Sequence, residues 1–69
     1  MWKVFALFCA LNGECAVKYE HPPAYYDTFE KCIVRADEKK SETLRFMKEN
    51  GITFRSFQTG CEYTEMYHT

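Results

Sequence analysis

The chain opens on an apolar run from Trp2 to Ala10, broken only by Lys3. It then alternates through Cys15-Ala16-Val17-Lys18-Tyr19-Glu20. A long apolar and aromatic run followed by a half-polar, period-two run predicts two strands, the first more fully covered than the second. Leu11-Asn12-Gly13 lies between them. A three-residue loop, a type I turn closed by a left-handed residue, needs glycine in third place, where Gly13 stands. This register makes Ala10 and Glu14 the hydrogen-bonded closing pair and sets Cys9 opposite Cys15 at a non-hydrogen-bonded position. Cα atoms there are ~4.5 Å apart, within disulfide range. A two-residue Asn-Gly loop would place the two cysteines on opposite faces and forbid the bond.

His21-Pro22-Pro23-Ala24 can neither continue a strand nor begin a helix, because the prolines lack N–H donors and hold their predecessors extended. Asp27 or Thr28 then supplies an N-cap, with Glu30 at capping-box spacing from Asp27. Phe29, Cys32, Ile33, Ala36, Lys40, Leu44 and Met47 recur on one helical face. The wholly polar stretch from Asp37 to Thr43 predicts a kink or break near Ser41. Asn50-Gly51-Ile52 reads as a glycine C-cap, with Ile52 reaching back toward Met47. Residues 52–63 read as a final strand of imperfect parity, with a bulge or an early end expected, and residues 64–69 as a loose tail.

The expected architecture is therefore a single α+β domain over residues 1–69, ordered ββαβ. A right-handed crossover through the helix sets the last strand parallel to the second, and the room for it is beside the first. The result is a mainly antiparallel three-stranded sheet in order 2-1-3, with one helix on one face. Lys18 and Glu20 mark one face of the second strand as wet, which predicts Phe5, Leu7, Cys9, Cys15, Val17 and Tyr19 under the helix. The uncovered face would then show Trp2, Val4, Ala6, Phe8 and Ala10, with Ala16 alongside. Either the helix covers one end of this face and the connector with Tyr25 and Tyr26 folds over the rest, or Trp2, Val4 and Phe8 with Tyr25 and Tyr26 are the predicted protein-contact residues, since contiguous apolar patches mark interfaces and Trp and Tyr dominate their energetics.

Size and cysteine content sharpen this picture. In a domain of 69 residues, burial and ordering entropy nearly cancel, so a covalent staple is expected. Cys9, Cys15, Cys32 and Cys61 contain no C-x-x-C pair, which argues against a zinc ribbon or a thioredoxin-type site. Pairing Cys9 with Cys15 and Cys32 with Cys61 suits the hairpin and would tie helix to sheet, the second bond being worth ~3.5 kcal/mol in the chain-entropy model. The rival pairing is Cys9–Cys61 with Cys15–Cys32, and four reduced core cysteines are the third possibility. The apolar start is too short for a signal peptide or a membrane span, although disulfides persist mainly in oxidising compartments.

Catalytic chemistry finds no foothold. The formal net charge is −1 with basic residues scattered, so no nucleic-acid footprint exists; Lys18 and Arg55 are thin support for a stacking platform. His21 and His68 stand alone, and a solvated side chain is the ordinary reading of each, so no metal or cofactor is expected. Asp37, Glu38, Glu42 and Glu49 belong to a solvated helix face with nothing to pair them as acid and base. No phosphate-binding glycine loop and no Ser/His/Asp order is present.

Met1-Trp2 at the start of an apolar strand, the turn at Asn12-Gly13, the stretch TFEKCIVRA around Cys32 and GCEY around Cys61 resemble a group of short bacteriophage proteins of unknown role. The likeness covers most of the chain on short motifs. The extra cysteines Cys9 and Cys15 and a longer helix depart from the group's pattern, and the departure supports pairing those two with each other. The resemblance implies a phage-encoded accessory protein in a virion or host cell and transfers no catalytic residue. The expected function is thus non-enzymatic protein binding, to a phage-particle or host protein, with homo-oligomers allowed. A small secreted inhibitor or toxin-like protein, extracellular after loss of a signal, is the alternative, and a thiol redox protein the third.

Overall fold

The computed structural model describes residues 1–65. Its elements run β1 (Trp2–Cys9), β2 (Cys15–Tyr19), α1 (Phe29–Glu49) and β3 (Ser56–Tyr63). The sheet has the order β2-β1-β3, with β1 antiparallel to both neighbours. The expected α+β architecture and strand order are what the chain adopts.

The hairpin forms through the three-residue loop. Ala10 N donates to Glu14 O and Gly13 N to Ala10 O, while Gly13 takes a φ of 92° that a side chain would resist. Asn12 Oδ1 accepts from Glu14 N and stiffens the loop. Cys9 then lies opposite Cys15, their Cα atoms 4.0 Å apart, and the two are disulfide-bonded.

Thr28, rather than Asp27, caps α1. Its backbone is extended and its hydroxyl accepts from Lys31 N at 3.2 Å, while Asp27 pairs with the Lys31 ammonium at 3.0 Å. The helix runs unbroken for 21 residues, so the expected break near Ser41 is absent. Glu and Lys are good helix formers, and half-buried Lys40 and Thr43 carry the inward stripe from Cys32 and Ala36 across the polar stretch to Met47. The helix ends in a Schellman motif. Ile52 N donates to Met47 O, Gly51 N donates to Lys48 O, and Gly51 takes a φ of 67°.

β3 begins later than the sequence suggests, at Ser56, and residues 52–55 form the approach to it. Its far end is held beyond Tyr63: Thr64 N donates to Met1 O, and the Met1 amino group to Thr64 O. Thr64 is therefore tied down, whereas residues 66–69 of the expected loose tail lie outside the described residues.

The helix lies across β1 and β3, and here the structure corrects the predicted face. Val4 is only 2% exposed and forms the core with Cys32 and Ala36, flanked by Trp2, Tyr26, Ile33 and Cys61. Val4 stands opposite Cys61 in the sheet, and Cys61 is disulfide-bonded to Cys32 of the helix. The Val4 face must therefore be the helix face. Thr59, two residues from Cys61 and on the same face, donates its hydroxyl to Ala36 O at 2.9 Å. Trp2, Val4 and Phe8 point toward the helix; Phe5, Leu7, Val17 and Tyr19 point away.

Candidate functional site

Side chains alternate along each strand, and the pairing register fixes which of them share the face away from α1. On β1 these are Lys3, Phe5, Leu7 and Cys9; on β2, Tyr19, Val17 and Cys15; on β3, Glu62, Gly60, Gln58 and Ser56. Among the described residues no element packs over this face. Its middle is apolar, with Phe5 beside Tyr19 and Leu7 beside Val17. Val17 is 50% exposed and Tyr19 49%, while Phe5 and Leu7, flanked on both sides as members of the central strand, are half-buried.

Gly60 shapes the surface. A Cβ placed there would stand 3.0 Å from Cε1 and Cζ of Phe5, so the Phe5 ring lies over the glycine backbone. Because that ring leans onto β3, a shallow concavity of about 280 Å³ opens beside it, lined by Phe5, Val17, Tyr19, Cys61 and Glu62. The Cys9–Cys15 bridge bounds the face near the turn, with Cys9 buried and Cys15 exposed.

The opposite end of the face is polar. The Lys3 ammonium sits 4.4 Å from the centroid of the Tyr19 ring and 3.9 Å from the Glu62 carboxylate. Glu62 holds the Tyr19 hydroxyl above its ordinary range, first as the acceptor of its hydrogen bond, then with help from desolvation and charge repulsion. The face thus combines an apolar centre with one cation and one anion at its rim.

The residues predicted from sequence as contacts are dispersed. Val4 is core and unavailable to any partner. Trp2 is half-buried, with its ring edge-to-face against Phe29 at 5.1 Å and Tyr63 at 5.4 Å. Phe8 packs toward Phe54 at 6.1 Å, at the other end of the helix-covered face. Tyr26 forms a two-hydrogen-bond bridge to Trp2, continuing the sheet beyond the end of β2. Its hydroxyl donates to Glu20 at 3.2 Å, and burial pushes its pKa up, Glu20 adding to the effect. Glu20 also accepts from Arg35 of the helix at 3.3 Å, which pins the connector. Only Tyr25, 42% exposed, keeps an open surface. Phe5, Leu7, Val17 and Tyr19 were missed as surface residues. The signal that exposes them is the Cys32–Cys61 bond combined with the register that sets Cys61 against Val4.

Other chemistry is sparse among the described residues. No group of three His, Cys, Asp or Glu side chains is placed to hold a metal ion. Asp37, Glu38 and Glu42 are exposed, the last two lying 3.6 and 3.4 Å from Arg35. Among the described residues no helix is long and apolar enough to cross a membrane. Comparison with known protein families, with curated proteins and with solved structures found no match to the chain.

Proposed function

We propose that this domain is a non-enzymatic protein-binding module whose contact surface is the sheet face away from the helix. The observation that carries this reading is the one-sided coverage of the sheet. One helix seals Val4, and the other face leaves Phe5, Leu7, Val17 and Tyr19 contiguous. Contiguous apolar surface of this kind, rimmed by charges, is characteristic of docking sites. The rim pair Lys3 and Glu62 supplies orientation, and the apolar centre supplies most of the affinity. Two disulfides are compatible with an extracellular setting. The resemblance to short phage proteins supports, as the source of the partner, a particle or an infected host cell.

A photo-reactive residue at Val17, in the natural producing system, tests the reading against the same residue at Val34, which is 59% exposed on the helix. The expected result is one discrete cross-linked protein from position 17, lost when Tyr19→Ser is added, and none from position 34. Equal labelling from both positions, or none from position 17, rejects the docking face. A redox role would instead show the Cys9–Cys15 or Cys32–Cys61 bond cycling under native thiol titration.

A further inference from the structure

β2 is an outer strand of the sheet, and all five of its residues are exposed. The Ala10–Glu14 hydrogen bond fixes which backbone groups face β1. Alternation in an antiparallel ladder then turns Ala16 and Lys18 toward β1 and the N–H and C=O groups of Cys15, Val17 and Tyr19 outward. Such an edge is a template for another strand. Proteins commonly blunt an edge with a lysine, and Lys18 would serve if nothing answered its charge. Glu14 answers it, two positions before Ala16 as Lys18 is two after.

We infer that the occupant of this edge is the β2 strand of a second copy of the chain, paired antiparallel about a two-fold axis at Ala16. A two-fold axis perpendicular to the sheet keeps each residue on its own face, so only registers joining residues of equal parity are allowed. Two central registers satisfy this. Centring on Val17 sets Glu14 against Glu20, whose carboxylate Arg35 and Tyr26 already hold, and leaves Lys18 facing Ala16 with its charge unanswered. Centring on Ala16 sets Ala16 against itself, Cys15 against Val17, and Glu14 against Lys18, twice by symmetry. In that register Cys15 and Val17 form the hydrogen-bonded pairs through their outward groups. Glu14 and Lys18 fall at non-hydrogen-bonded positions, where opposed Cβ atoms stand ~4.5–5.5 Å apart, within ion-pair reach. Both side chains are exposed, and among the described residues neither belongs to an ion pair. The six-stranded sheet so formed joins the two apolar faces side by side. The pairing uses the strand edge rather than the face, so a monomeric protein would leave the docking reading intact.

A charge-exchange cycle followed by sedimentation equilibrium tests the inference. The unaltered protein sediments as a concentration-dependent dimer. Glu14→Lys alone or Lys18→Glu alone weakens dimerisation roughly tenfold, because symmetry counts each reversal twice. The double variant E14K/K18E restores it to within about threefold. Circular dichroism of each variant confirms the fold, since both positions are exposed and outside the core. A monomer at every concentration overturns the inference, and so does a dimer indifferent to either reversal.

Discussion

Removing the two disulfides one at a time separates their roles, and the sizes follow from the loops they close. Cys32–Cys61 spans a sequence separation of 29 and Cys9–Cys15 one of 6. In the chain-entropy model these loops are worth ~3.5 and ~2 kcal/mol. The longer bond also sits in the core: Cys32 is fully buried, between Val4 and Ala36. Replacing both partners by alanine there loses buried sulfur contacts as well, whereas Cys15 is exposed and its loop is already fixed by the Gly13 turn and the Ala10–Glu14 pair. C32A/C61A should therefore cost at least ~3.5 kcal/mol, most of the stability of a domain this small. C9A/C15A should cost ~2 kcal/mol or less and leave a folded domain. Urea unfolding followed by fluorescence reads both directly, because the single tryptophan, Trp2, packs against the core beside Phe29 and Tyr63. A larger loss from the hairpin pair than from the helix-to-sheet pair would refute the placement of Cys32 and Cys61 as the central staple.

Thr28→Ala removes the acceptor for Lys31 N and should lower stability by about 1 kcal/mol, read from the urea midpoint, with Thr28→Asp recovering most of it. Tyr19 and Tyr26 both ionise above their ordinary value of 10.0. A folded pKa raised above the unfolded one means their contribution to stability is complete below about pH 10 and is lost as pH rises through the folded values. Ultraviolet difference titration should show Tyr19 ionising earlier in Glu62→Gln, which removes its carboxylate acceptor; no change would reject the Tyr19–Glu62 contact.

The local signals in the chain were legible because each has a local physical cause. Gly13 closes the hairpin, Thr28 and Gly51 bound the helix, and the crossover rule orders the strands, so the architecture follows from short-range chemistry. The face of the sheet that the helix covers has no such cause. Polar Lys18 and Glu20 suggested that β2 turned its other side to the helix, yet β2 is an edge strand exposed throughout, with α1 lying over β1 and β3. Lys18 therefore reports solvent without reporting the helix. What fixes the face is a long-range register, Val4 against Cys61, and a one-residue slip in it would invert every side chain of β1 relative to the Cys32 anchor. Trp2 was misleading for a related reason. Its ring is large enough to remain half-exposed while closing one end of the core with Phe29 and Tyr63. The polar middle of α1 concealed its continuity because Lys40 and Thr43, rather than apolar residues, line its inward stripe there.

Two valines provide the most direct test of which side of the sheet is sealed. Val4 is 2% exposed and Val17 50%, with the same side chain pointing to opposite faces of neighbouring strands. Equilibrium urea unfolding of Val4→Ala should show a loss of about 2–3 kcal/mol, and Val17→Ala a loss below about 0.5 kcal/mol. Equal losses, or a greater loss at Val17, would mean that the helix covers the other face.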